Sequence, residues 1–159
     1  MAAYTIRQAV PGDEGEILRL IIELAVYEQL EHEVVATEEM LREWIFEKQT
    51  ARVLLAEEDG AVVGYALYFY SFSTFLGRAG IYLEDLYVCP TARHKGCGRA
   101  LLKALAGICR DEGLGRLEWS CLDWNAPSIA FYKSLGAVPQ DSWTRYRLDG
   151  QTLADFADR

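Results

Sequence analysis

The run Arg93-His94-Lys95-Gly96-Cys97-Gly98-Arg99-Ala100 joins an apolar strand pattern, Tyr82 to Val88, to an amphipathic helix pattern, and it holds the densest positive charge on the chain. Glycines at 96 and 98 let backbone N–H groups turn toward an anion, and the following helix aims its positive end at the same place. The chemistry this suits is the gripping of a diphosphate. The spacing is too short for the dinucleotide fingerprint G-x-G-x-x-G, and the GK[ST] end of a triphosphate loop is absent. What remains is R-x-x-G-x-G. A glycine-rich turn with merely solvated basic side chains is the alternative. Just upstream, Glu84 and Asp85 interrupt an apolar strand. Under period-two alternation they face opposite ways and cannot form a carboxylate pair unless a bulge reorients one. By pattern alone, Glu84 reads as an ordinary strand carboxylate hydrogen-bonded at the sheet edge or to a neighbouring Arg. Asp85 reads as structural, pairing across the sheet.

The elements that position these groups follow from hydrophobic period and punctuation. Tyr4 to Ala9 alternates as a strand, and Pro11-Gly12-Asp13 breaks it before a helix from about Glu14 to Glu28. Thr37 opens a second helix, with Met40, Leu41, Trp44 and Ile45 expected inward. Val53 to Glu57, Val62 to Phe72 and Ile81 to Val88 read as an antiparallel meander. A long helix from about Gly98 to Glu112, stopped by Gly113, leads to a strand at Leu117, Trp119 and Cys121. That strand should lie parallel to the one ending at Val88, because a helix crosses between them. A proline-started helix, Pro127 to Leu135, follows, and Ala137 to Leu148 is expected to form a terminal hairpin. The fold class is therefore mixed α/β, with 1–159 expected as one domain.

Composition bounds the partners. The net charge is −8 and the pI is near 4.8, so most of the exterior repels nucleic acid and anionic membranes, and an anionic ligand needs a local basic patch. The same field concentrates cations, although acidic surfaces are also common in soluble proteins. Cysteines at 89, 97, 109 and 121 have no C-x-x-C spacing and accompany only two histidines, so neither a zinc site nor a disulfide framework is expected. Cys97, at a helix start, is either a reactive thiol lowered by the helix dipole or a small residue packed beneath the loop. The first residues lack a signal-peptide pattern, and no apolar run approaches the roughly 20 residues that span a bilayer. Cytoplasmic residence is the default expectation.

Trp124-Asn125-Ala126-Pro127-Ser128-Ile129-Ala130-Phe131-Tyr132-Lys133 supplies a second motif downstream of the glycine loop. Together the two resemble the GNAT superfamily of N-acetyltransferases. Tyr27-Glu28, Tyr82-Leu83-Glu84-Asp85 and Trp124-Asn125 sharpen this to the spermidine/spermine N1-acetyltransferase branch, which includes thialysine acetyltransferases. The resemblance implies a GNAT-type fold with a splayed parallel strand pair and acetyl-CoA as co-substrate, without a metal. It places the coenzyme against Leu86, Tyr87, Val88, the loop Arg93, His94, Lys95, Gly96, Cys97, Gly98 and Arg99, and Asn125, Ser128 and Tyr132. Tyr132 is implied as general acid and Glu84 as the group taking the ammonium and its proton. Asn125 also reads as a helix N-cap. Tyr27, Glu28, Glu118 and Asp141 match positions lining the amine groove, although Asp141-Ser142-Trp143 departs from the polyamine enzymes' Glu-Gly-Trp. For Glu28, Glu118 and Asp141 a solvated acidic face is an equal reading. The family also implies a homodimer. The expected activity is acetyl transfer to a primary amine of a polyamine, diamine or thialysine-like acceptor. The alternatives are an amino-acid or protein acceptor, or a non-catalytic acyl-CoA-binding amine sensor.

Overall fold

A computed structural model describes residues 4–159. By contacts the chain divides into two compact units, one ending at Ser120 and the other spanning Cys121–Arg159.

The first unit carries β1 (Thr5–Gln8), α1 (Glu14–Tyr27), a 3-10 turn, α2 (Glu38–Leu41), β2 (Arg52–Glu58), β3 (Ala61–Ser73), β4 (Arg78–Val88), α3 (Cys97–Glu112) and β5 (Leu117–Trp119). The strands form one sheet in the order β1-β2-β3-β4-β5. Neighbours are antiparallel except β4 and β5, which run parallel, as the crossover through α3 requires. Ile17 and Leu20 of α1 pack with Ile45 on Val53, Leu55, Tyr65 and Tyr87, which are alternate residues of β2, β3 and β4 and so share one sheet face. α3 covers the other face with Leu101, Leu102 and Leu105. Ile108 and Cys109 of the same helix are only partly covered.

Two expectations fail. Met40 and Trp44 are 47% and 48% exposed rather than inward. α2 keeps α-geometry for four residues only, then winds as a π-helix over Arg42–Glu47. Bonding i to i+5 changes the angular step, so Trp44, chosen on a 3.6 period, leaves the buried side; Met40 precedes the π segment and is exposed in the single α-turn. In the second unit, α4 (Ala126–Ser134) is where the sequence puts it. The terminal hairpin is absent: residues 137–148 contain no strand, and α5 (Gly150–Ala157) follows instead. From Val138 onward every residue is exposed. An alternating pattern without a ladder partner and a covered face does not hold a hairpin.

Candidate active site

β3 and β4 lose register between Leu67 and Tyr68: Leu67 pairs with Asp85 and Tyr68 with Leu83, so Glu84 is the extra residue of a β-bulge. The bulge does what plain alternation forbids. Asp85 lies opposite Leu67 on the face where the Tyr65 hydroxyl donates to it at 2.9 Å. Beyond the bulge that face continues with Phe69 and Tyr82, whose ring centroids are 5.3 Å apart. Glu84 follows Leu83, which is buried on the α3 side, so its side chain emerges on the Asp85 face. Burial holds the Asp85 carboxyl above the usual carboxylate range; the Tyr65 hydrogen bond opposes this and the Glu84 charge adds to it. Asp85, read from sequence as a structural residue pairing across the sheet, does pair with β3, but as a titratable member of an acidic cluster. Tyr65 itself is fully buried.

Glu28 joins this cluster from the C-cap of α1. Burial raises its carboxyl, and the Asp85 charge raises it further. A carboxylate at a helix C-terminus also opposes the helix dipole. Asp85 and Glu28, whose charge is disfavoured by burial and by neighbouring carboxylates, stand with the exposed Glu84 in a site that a cation relieves.

β4 is bonded to β5 only from Ile81 to Leu83, yet runs on to Val88. The last part of β4 therefore has β3 on one side and no β5 partner on the other, which is the splay expected of the parallel pair. Leu86, Tyr87 and Val88 lie in that part.

The glycine loop follows. His94 and Gly96 both take left-handed backbone, φ 62° and 89°, and Gly96 is the N-cap of α3. Left-handed residues set among right-handed ones turn successive N–H groups into an anion-binding concavity. The amides of Cys97, Gly98 and Arg99 open the helix, where geometry denies them a helical carbonyl. A Cβ at Gly98 would make only an ordinary 3.8 Å contact with Val88. The fold tolerates a side chain there; a ligand drawn up to the backbone would not. His94, Lys95 and Arg99 are exposed around this concavity. Arg93 behaves differently: its Nε donates to the Val88 carbonyl at 2.8 Å, and its guanidinium lies 5.1 Å and 5.3 Å from the rings of Tyr27 and Tyr87. It stitches the loop to the end of α1, and so to the acidic cluster. Cys97 is buried and its thiol is pushed up to about 11, mainly by burial, so the reactive reading fails.

Glu118, the register partner of Tyr82, shares the open sheet face and lies 3.5 Å from Arg116. In the second unit the Asn125 side chain is buried and accepts from the Ser128 amide at 3.4 Å, so its N-cap role is real. Tyr132 is half-buried on α4 with its ring beside Phe131, and Asp141 is exposed. Among the described residues no group of three or more His, Cys, Asp or Glu could hold a metal. Sequence reasoning missed Tyr65, Arg78 and Arg116; two arginines flanking the strands are individually unremarkable.

Anion cradle, splayed strand pair and acidic cluster on one mixed sheet define an acyl-transfer architecture. The profile of the Acetyltransferase (GNAT) family matches residues 16–137, and the chain belongs to that family. It is an acetyltransferase. Thialysine N-epsilon-acetyltransferase of Bos taurus is 40% identical, with 100% of both chains covered. L-ornithine N5-acetyltransferase of Arabidopsis thaliana is 31% identical over 93% of this chain and 85% of its own length. Among solved structures, an integron cassette protein from the mobile metagenome of V. cholerae superposes with a TM-score of 0.83, at 29% identity and full coverage of both chains.

Proposed function

We propose that this chain transfers an acetyl group from acetyl-CoA to a primary amine of a small polycationic or lysine-like acceptor, by direct attack in a ternary complex. The observation that carries the reading is the bulge at Glu84, which turns Glu84 and Asp85 to one face immediately before the end of β4 that has no β5 partner. Named relatives that act on thialysine and on ornithine support an amine of this kind.

In this reading the α3 amides and the loop from Arg93 to Arg99 hold the pyrophosphate, with Lys95 and Arg99 supplying charge. Glu28, Glu84 and Asp85 receive the acceptor's ammonium. Asp85, whose affinity for a proton is raised by burial, takes the proton directly or through Glu84. The neutral nitrogen then bonds to the thioester carbonyl carbon. A backbone N–H of Leu86 or Tyr87, in the part of β4 not paired with β5, steadies the charge on the oxygen. As the carbon–sulfur bond breaks, Tyr132 gives the departing sulfur a proton, and the nitrogen sheds its own extra proton as the amide forms, which restores the phenol. Asn125 and Ser128 serve the pantetheine arm.

The family match runs through both compact units, which supports reading the chain as one catalytic domain. The resemblance to the spermidine/spermine N1-acetyltransferase branch is what supports a homodimer. Four free thiols suit a reducing compartment such as the cytoplasm. No helix among the described residues is long and apolar enough to cross a membrane.

The test is thiol release from acetyl-CoA over a panel of thialysine, lysine, ornithine, spermidine, spermine, putrescine and lysine peptides. Activity on a small amine is expected. Activity on peptides alone would overturn the acceptor class, and binding of acetyl-CoA without release across the panel would favour an amine sensor.

A further inference from the structure

A second polar site lies on the same sheet as the acidic cluster, at the opposite end of the β4–β5 pair from the cradle. A cleft of about 100 Å³ opens there, lined by Ser71, Ser73, Arg78, Gly80, Arg116 and Glu118 among others. It has room for several water molecules, or for a carboxylate with a few. The Arg116 guanidinium donates to the Ser73 hydroxyl and lies 3.5 Å from the Glu118 carboxylate, each of the two charged side chains keeping 42% of its surface exposed. Arg78 is exposed on the same lining. Two cations and one carboxylate at the rim of so small a cleft complement a group that itself carries both signs at neighbouring atoms. The head of an α-amino acid is such a group, with its carboxylate suited to arginine and its ammonium to glutamate.

The spacing agrees. Glu118 is paired with Tyr82, and Glu84 lies two residues further along β4, a rise of roughly 7 Å. Five bonds from an α-carbon to a terminal nitrogen, extended at about 1.2 Å each, span roughly 6 Å. Tyr82 and Ser120, whose side-chain oxygens lie 2.7 Å apart, mark the strip of sheet between the two ends.

We propose that this cleft holds the α-carbon head of the acceptor, its carboxylate on Arg78 and Arg116 and its α-ammonium against Glu118, so that the acceptor is a basic α-amino acid. The side-chain amine then reaches Glu84 and Asp85, and in that respect the inference rests on the proposed placement of the reacting amine. A polyamine lays an ammonium where the arginines stand, like charge against like, and is discriminated against.

The experiment pairs lysine with cadaverine, and thialysine with the sulfide diamine that lacks its carboxylate, on the full chain. Two readouts are used: thiol release and calorimetric binding in the presence of coenzyme A. Each amino acid should have a KM and a Kd at least about tenfold lower than its diamine, the scale of one charge-assisted hydrogen bond. R78Q and R116Q should erase that preference, raising KM for the amino acid with kcat within a few-fold, while cadaverine is unaffected or improved. R78Q alone guards against loss of the Arg116–Ser73 contact, and unchanged acetyl-CoA affinity shows that each variant is folded. Equal KM and Kd for lysine and cadaverine in the wild type, or variants that weaken both alike, would overturn the cleft even where transfer is intact. Lysine binding that needs both arginines, with no thiol release from any amine, would support the cleft and overturn the transfer reading instead.

Discussion

A carboxylate that holds its proton above the usual range is a better acceptor for a proton shed by an amine, and Asp85 is such a group because burial outweighs the Tyr65 hydrogen bond. The same burial costs stability. A carboxyl raised in the folded state stabilises the fold fully when protonated, below the unfolded pKa near 3.9, and that contribution is lost as pH climbs through the folded value. Asp85→Asn keeps an oxygen for the Tyr65 hydroxyl and removes the buried charge. We expect its thermal unfolding midpoint to exceed that of the wild type at pH 7, with the gap closing in acid, while turnover falls. A midpoint lowered at neutral pH would show that the charge is paired rather than strained. Tyr132→Phe should keep acetyl-CoA affinity and lower kcat by about 10²- to 10⁴-fold, the scale of a positioned acid; unchanged turnover contradicts its role. The position of Glu84 on the strand ending at Val88 was legible in the sequence. The placing of Asp85 beside Glu84 was hidden, since a neighbour on an alternating strand points the other way until the bulge is seen.

At the scale of elements, the strands, α1, α3 and the α3 crossover were readable because period and punctuation agree over each. The glycine stop at Gly113, left-handed in the structure, ends α3 as the sequence indicates. What was not readable depends on register or winding. The bulge at Glu84 is a mismatch between two strands and leaves no mark on either alone. The π-winding of Arg42–Glu47 exposes Trp44 although its spacing suits an α-helix. The segment after Gly136 alternates like strands but meets no ladder. Within the loop, Gly96 is left-handed whereas the fold leaves room for a side chain at Gly98, so two substitutions should separate fold from the proposed ligand contact. Gly96→Ala strains φ 89° and should cost about 1 kcal/mol in denaturant unfolding. Gly98→Ala should leave unfolding nearly unchanged and weaken acetyl-CoA binding about tenfold or more, measured by calorimetry. A Gly98→Ala protein that binds acetyl-CoA normally contradicts close approach of the ligand to this backbone.

In the proposed function, a molecule of charge −8 seats an anionic co-substrate and a cationic acceptor. The concavity at the start of α3 supplies the local positive field for the first, and the acidic cluster with the general field supplies the attraction for the second. Because the Debye length shrinks from about 10 Å at 0.1 M to about 3 Å at 1 M salt, kcat/KM for the acceptor should fall steadily over that range. A salt-independent value would confine the attraction to the half-buried Glu28 and Asp85. The most direct measurement of the central claim is release of coenzyme A thiol on adding thialysine or lysine to the full chain with acetyl-CoA, matched mole for mole by acetylated amine in the mass spectrum. The account predicts stoichiometric release in the wild type and its near loss in Tyr132→Phe. Saturated acetyl-CoA binding with neither thiol nor acetylated amine, from these or any other small amine, would contradict it.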